Sequence, residues 1–242
     1  MHIPNGFLDP KTSAGTAFAA AAALGYCMAK VRQALSAMVP ESVLAAAGNI
    51  GCNITGGSKK LVSRFAENHL MKMAAIGSLI FSAQMFNFPV SNGTSGHMLG
   101  AVVASMALGP FSGALVISAI LAVQSVFFAD GGILALGANI LNMAVVGTLL
   151  CYYIYYIIHK LLRNNVGYYA GISLAAFFSV ILASAACSIE LSLSGTVELS
   201  RVLPAMLSVH AVIGVAEALL TIIALNFLEG IEFGLEGKLV DK

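Results

Sequence analysis

The feature that leaves this chain least freedom is a succession of long apolar stretches nearly free of charge. A membrane-spanning helix needs about 20 mostly apolar residues, because a rise of about 1.5 Å per residue must cover a hydrocarbon core about 30 Å thick. Stretches of this kind run over Thr12–Ala29, Met71–Val90, Phe111–Ala129, Ile133–Ile158, Gly167–Cys187 and Leu203–Leu228. A further one, Met98–Leu108, is too short to cross unaided, and Gly109-Pro110 separates it from its successor. It reads either as a tilted, extended span or as a re-entrant half-helix. Charged residues make up 10% of the 242 positions and apolar ones 59%, with mean hydropathy +0.90. That is too little charge to coat a water-soluble globule of this size.

The expected fold is therefore an all-α integral membrane protein, a single polytopic domain over residues 1–242. It divides into an N-terminal segment 1–10, a connection at 31–70 and a helical core over 71–228. Lysine and arginine placement sets the orientation. Of the twelve, Lys30, Arg32, Lys59, Lys60, Arg64 and Lys72 flank the connection between the first two spans, Lys160 and Arg163 follow the fifth, and Lys238 and Lys242 follow the last. Counting Met98–Leu108 as a crossing puts these ten on one side and leaves Lys11 and Arg201 on the other. The positive-inside rule then favours about seven crossings, N-terminus outside and C-terminus cytoplasmic, in a cell (inner or plasma) membrane. Met1–Pro10 has no basic n-region and no small-residue cleavage site, so it does not read as a secretory signal. Tyr152, Tyr153, Tyr155 and Tyr156 followed by Lys160 read as an interfacial anchor, and His69 and His159, beside basic flanks, as interfacial residues. No fixed-period repeat supports an inverted-repeat transporter. The four cysteines, Cys27, Cys52, Cys151 and Cys187, are scattered, which argues against a disulfide framework or thiolate cluster. A net charge of +1 gives no field to hold nucleic acid.

The sequence contains no Walker A motif, GxSxG elbow or HExxH, so it lacks the parts for ATP hydrolysis, α/β-hydrolase or zincin chemistry. Gly131-Gly132 and Gly93 sit in loops without a preceding strand, which excludes a dinucleotide fold. Uphill transport would need an ion gradient or a partner ATPase. Gradient-driven carriers usually carry ionisable residues along their spans. Here His210 and Glu217 are almost the only ones, seven residues apart on one helix face, and they read either as a proton or cation relay or as a hydrogen-bonding tie between helices.

The most informative stretch is Met1-His2-Ile3-Pro4-Asn5-Gly6-Phe7-Leu8. A free α-amine followed at once by histidine offers the amine, the deprotonated His2 amide and the imidazole. These nitrogens form two fused chelate rings that favour the planar arrangement of Ni(II) or Cu(II). Pro4 has no amide proton to extend the chelate. Read alone, His2 is equally an incidental tail residue. Three nitrogens leave a fourth position, for which His97 is the candidate. It follows the second span on the N-terminal side of the membrane, with Thr94 or Ser95 placed to cap the next helix and present His97 in its first turn. Asp130 heads a Gly-rich turn and reads as a helix N-cap. The ten methionines form no MxxM array and read as packing residues.

With these residues in place the chain resembles the CbiM/NikM family, the substrate-binding subunits of energy-coupling-factor transporters for cobalt and nickel. The resemblance rests on Met1–Leu8, on Gln84–Leu99 with its Gly93-Thr94-Ser95-Gly96-His97, and on Gln124–Gly147. It implies a seven-helix bundle whose N-terminus folds into an outward-facing cavity, with the metal square-planar on Met1, His2 and His97. It also implies Asn5 and Ser95 as supports for the imidazoles, a scaffold membrane protein and cytoplasmic ATP-binding subunits as partners, and a place for a small accessory membrane subunit. Position 5, often acidic in the family, is Asn5 here, and the Val31–Leu70 connection is longer than expected. The Gly-Thr-Ser-Gly-His form is closer to the nickel branch.

The leading expectation is a metal-capturing subunit for uptake of nickel, with cobalt next and a link to cobalamin biosynthesis in that case. The ion is bound as substrate, with no other cofactor and no enzymatic activity. The alternative is a self-sufficient metal channel or gradient-driven carrier using His210 and Glu217. A membrane enzyme with a catalytic metal at His2 and His97 is the third reading, and four protein nitrogens would leave it no position for activated water.

Overall fold

Asp9-Pro10 starts the first helix by local chemistry. Asp9 accepts from the Lys11 amide at 3.0 Å and from the Thr12 amide at 3.4 Å, satisfying donors that a helix start leaves over, while Pro10 needs no partner at the first position. The helix, α1, spans Pro10–Ala37. The computed structural model describes the backbone of residues 1–37, 54–85, 87–90 and 94–240, and side chains over 1–37, 66–85 and 97–230. Beyond α1 it contains α2 (Ile54–Gln84), a hairpin of β1 (Asn87–Val90) and β2 (Thr94–His97), α3 (Ala101–Leu108), α4 (Pro110–Phe127), α5 (Leu136–Leu162), α6 (Asn165–Leu193) and α7 (Leu199–Val240). Residues Ile140–Leu150 of α5 are wound as π-helix, a rare form that is frequent at functional sites.

The described part is thus seven helices and a two-stranded antiparallel hairpin with Asn87 opposite His97. Among the described residues, α1, α4, α5, α6 and the Leu199–Gly230 part of α7 are long and apolar enough to cross a membrane. The expected helical bundle stands, with several corrected boundaries. The Met71–Val90 span stops at Gln84, because Asn87–Val90, with Pro89 unable to continue a helix, turns into the hairpin. α1 runs beyond Ala29 to Ala37 and α2 starts at Ile54, so the supposed Val31–Leu70 connection is helical at both ends. Its middle, 38–53, with Cys52, lies outside the described residues. The break at Gly109 is as expected: Gly109 has φ +83 and Pro110 opens α4. α6 extends past Cys187 and takes in Glu190, an ionisable residue missing from the expected span; its Oε2 accepts from Asn142 Nδ2 at 2.6 Å.

Small residues let the helices close on one another without a hydrophobic force between them. A Cβ on Gly214 of α7 would stand 2.9 Å from the Phe177 ring of α6, and one on Gly113 of α4 would stand 3.0 Å from Ala104 backbone in α3. The buried centre is apolar, with Ile117, Leu121, Met143, Ile172 and Val180 within it. α1, by contrast, buries only Ala20, Cys27 and Val31 and leaves Phe18 79% exposed, an apolar surface suited to lipid. Cys27, Cys151 and Cys187 are free and buried.

Candidate metal site

The N-terminal segment is threaded into the bundle. Met1 and Ile3 are fully buried and His2 is 3% exposed. Backbone strung this deep must find partners for its amides and carbonyls, and the loop from Asp130 to Leu134 and the start of α5 supply them. The Gly132 amide donates to the Ile3 carbonyl at 2.8 Å. Asn139 answers Ile3 on both sides: its Oδ1 accepts from the Ile3 amide at 2.8 Å and its Nδ2 donates to the carbonyl at 3.3 Å. The Leu134 amide donates to Asn5 Oδ1 at 3.0 Å, Thr196 donates to the Phe7 carbonyl, and Ser194 donates to Asp9 at 3.1 Å. Glycines make the approach possible. A Cβ on Gly132 would lie 2.4 Å from the Asn5 nitrogen and 2.7 Å from the Pro4 carbonyl carbon. Gly131, at φ +90, lies in the region that favours glycine.

His2 and His97 lie side by side, with ring centroids 4.6 Å apart and planes at 37°. Each spends Nδ1 on the protein. His2 Nδ1 donates to Asp130 Oδ1 at 2.7 Å, and His97 Nδ1 donates to the Met98 carbonyl at 2.6 Å. Those donors fix the tautomers and leave both Nε2 atoms as lone pairs, buried and without a partner. Burial pushes the Met1 amine down from an ordinary 8.0 to about 6, against the opposing influence of Cys187 and Asp130. It also lowers His2, in spite of the Asp130 hydrogen bond, which favours the charged ring. At neutral pH the amine is therefore largely unprotonated and this imidazole neutral, its one proton on Nδ1.

Among the described residues no group of three or more His, Cys, Asp or Glu side chains is placed to hold a metal. A metal here must draw on the amine and a main-chain nitrogen, which is the donor set that the first two residues present. One detail differs from a simple chelate. Fusing a ring onto the amide nitrogen requires His2 Nδ1, and in this arrangement Nδ1 faces Asp130 while Nε2 is bare.

The expected site residues fare differently. Met1, His2 and His97 come together although about 95 residues of chain separate the first two from the third. Asn5 supports the segment through Leu134 and not an imidazole; the Ser95 side chain lies outside the described residues. His97 ends a strand rather than opening a helix, since α3 starts at Ala101 with Gly100 at its cap. Asp130 is no helix cap: α5 begins at Leu136 after Ala135, and the Asp130 carboxylate serves His2. Ala129 before it has φ +53, a left-handed turn that costs a non-glycine residue about 1–2 kcal/mol. His210 and Glu217 do not pair, because seven residues of helix separate them by about 10 Å. His210 Nδ1 donates to the Met206 carbonyl at 2.7 Å with Nε2 bare, and Glu217 accepts from the Leu99 and Gly100 amides at 2.8 and 2.6 Å. His69, read as interfacial, bonds Ser112 at 2.8 Å. Sequence reasoning missed Asp130, Asn139 and the Gly131-Gly132 cradle. The Asp-Gly-Gly run inside a stretch carrying the family resemblance was the signal available.

The chain as a whole is similar to proteins of metal transport. A family model described as "Cobalt uptake substrate-specific transmembrane region" (CbiM) matches residues 37–233, a range that includes His97 but not Met1 and His2. The chain is 34% identical over 224 residues to a putative fused nickel transport protein, NikMN, of Archaeoglobus fulgidus, covering 91% of this chain but 63% of that protein. It is 30% identical over 221 residues to a putative metal transport protein of Haloquadratum walsbyi, covering 91% of this chain and 86% of that one. A crystal structure of a transition metal transporter superposes with TM-score 0.74 at 27% identity, over 96% of this chain and 93% of that one.

Proposed function

We propose, from the premise that this chain belongs to the family of cobalt uptake substrate-specific transmembrane proteins, that it is the metal-capturing subunit of an energy-coupling-factor uptake transporter, with nickel its preferred substrate and cobalt next. The observation that carries this reading is the fully buried Met1 amine gathered with His2 and His97, with the bare His97 Nε2 at hand. A divalent ion would be held by the Met1 amine, the His2 amide nitrogen, His2 Nδ1 and His97 Nε2. The first three close a five-membered and a six-membered ring, which hold the donors near one plane, the preference of Ni(II). Capture on Nδ1 would move the ring proton to the bare Nε2 and give up the Asp130 hydrogen bond, so Asp130 holds the ring until the ion arrives. His97 needs no such exchange, because Met98 already fixes its tautomer with Nε2 free. Burial leaves the amine and the rings without charge, so with the His2 ring proton kept on Nε2 binding releases few protons beyond the amide's.

The sequence carries no ATP-binding motif of its own, so release uphill is assigned to a scaffold membrane protein and cytoplasmic ATP-binding subunits. We read the end that holds the site as the outside, on the placement of lysine and arginine. The site gathers the N-terminal segment, the α4–α5 loop and the α6–α7 turn at one end, where Lys11 and Arg201 lie. Lys30 and His69 meet Gly109 at the other. A carrier using a His210–Glu217 relay loses its basis, since Glu217 spends both oxygens on backbone amides.

The test is the nickel and cobalt content of the purified protein with a native N-terminus, beside a His97→Ala variant and one extended ahead of Met1. One equivalent in the first and none retained through purification in the others is the expected result. Equal metal in all three would remove Met1, His2 and His97 from the site.

A further inference from the structure

His97 contributes one nitrogen, and what aims that nitrogen is a carboxylate on the far side of the sequence. Glu217, in the middle of α7, is fully buried and uses both oxygens on consecutive amides: Oε2 accepts from Leu99 at 2.8 Å and Oε1 from Gly100 at 2.6 Å. Such charge-assisted bonds are about twice as strong as neutral ones. They also sit at the start of α3, where the helix dipole favours negative charge. The same short segment is held from two more directions. Gln84 Nε2 donates to the Leu99 carbonyl at 2.7 Å, and Gln84 Oε1 accepts in turn from Gln124 Nε2 at 2.9 Å. His97 Nδ1 donates to the Met98 carbonyl. Every backbone group from the Met98 carbonyl to the Gly100 amide is thereby fixed by a buried partner, and Gly100 takes the left-handed turn (φ +68) that joins the strand to α3.

We infer that Glu217 is a positioning residue for metal capture, holding the Leu99 and Gly100 amides so that His97 Nε2 completes the plane of nitrogens begun by Met1 and His2. This rests on the metal site proposed above. Glu217 touches no metal; it acts through His97. A carboxylate is required because both targets are N–H donors. Glutamine would keep one acceptor and turn its own N–H₂ toward an amide, opposing donor with donor. A loosened His97 would leave the three-nitrogen chelate of the N-terminus intact and lose the fourth ligand, shifting the complex away from square-planar Ni(II).

The test is a double-mutant cycle on the full chain with its native N-terminus, read by Ni(II) titration and by the visible absorption of the nickel complex. Glu217→Gln is expected to weaken nickel binding ten- to a hundredfold, the range typical of groups that orient metal ligands. It should also give the nickel spectrum of His97→Ala. In the His97→Ala background the same substitution should change the affinity by less than twofold, because its route to the metal is gone. Glu217→Asp, a shorter carboxylate able to reach one amide, should fall between wild type and Glu217→Gln, and it serves if the glutamine variant does not fold. An unchanged affinity and spectrum in Glu217→Gln, or an equal loss with and without His97, would overturn the role of Glu217. Equal nickel affinity in wild type and His97→Ala would instead overturn the metal site itself.

Discussion

A single methyl group at Gly132 should uncouple metal capture from the rest of the fold. In Gly132→Ala the new Cβ would stand 2.4 Å from the Asn5 nitrogen, 2.6 Å from Asn5 Oδ1 and 2.7 Å from the Pro4 carbonyl carbon. Two of these atoms are backbone, so no side-chain rotation relieves the overlap. To reach ordinary contact, about 3.5 Å, the N-terminal segment must withdraw by about 1 Å. That displacement takes the Gly132–Ile3 bond from 2.8 Å and the Leu134–Asn5 bond from 3.0 Å out of the hydrogen-bonding range. Each is worth about 1 kcal/mol net, and more where a buried group is left unsatisfied. The cost against the docked segment is then about 2–4 kcal/mol, equivalent to about a thirty- to thousandfold rise in Kd at about 1.4 kcal/mol per decade. Isothermal titration of Ni(II) into detergent-solubilised protein with a native N-terminus measures it. Helical circular dichroism and thermal melting report whether the bundle is kept. Gly15→Ala is the control: it lies in α1 with nothing within 4 Å of its Cβ, and should bind as wild type. Nickel affinity within threefold of wild type in Gly132→Ala would refute the requirement for a docked N-terminal segment.

Three further outcomes follow from the same geometry. One alanine added ahead of Met1 should cost at least about a thousandfold in nickel affinity, because the amine is fully buried and becomes an amide, and metal content by mass spectrometry checks it. Asp130→Asn keeps an acceptor for His2 Nδ1 but removes the charge and so weakens a bond that capture must break; affinity should rise a few-fold, by about 1 kcal/mol, with thermal melting little changed, as titration beside a melting curve would show. The Met1 amine binds a proton at 8.0 when undocked and at about 6 when docked, so between these values the undocked segment holds more protons and docking strengthens as pH rises. Lowering pH from 8 to 6 should cost docking about 2 kcal/mol. The measurement is hydrogen exchange at the Ile3 amide corrected for intrinsic rate, and a protection factor that does not change with pH would contradict the buried amine.

The chelating half of the site was legible because its atoms are neighbours in the chain. Amine, amide and imidazole lie within two residues, and only a histidine at position 2 beside a free terminus can arrange them so. His97 was legible as a loose end in a Gly-rich segment on the matching side of the membrane, although the strand that carries it was not. Short hairpins in apolar surroundings leave no periodicity, and Pro89 marked the exit from α2 only in retrospect. Asp130 was misread because an aspartate before a helix is ordinarily its cap, and nothing local says that its partner is His2, 128 residues earlier. Glu217 was paired with His210 on helical spacing alone, whereas its partners are amides 118 and 117 residues away.

What the sequence determined by itself follows from local physics. Apolar length decides that the chain must be helical in a membrane, and the order of atoms in Met1 and His2 decides what they can chelate. The tertiary structure alone decided what surrounds those atoms. It buries the amine and lowers its proton affinity, seats the segment on Gly132 and Asn139, turns His2 toward Asp130, and ties His97 to Glu217. Each of these joins residues far apart along the chain, and such pairings are set by how seven helices pack rather than by any pattern within one of them.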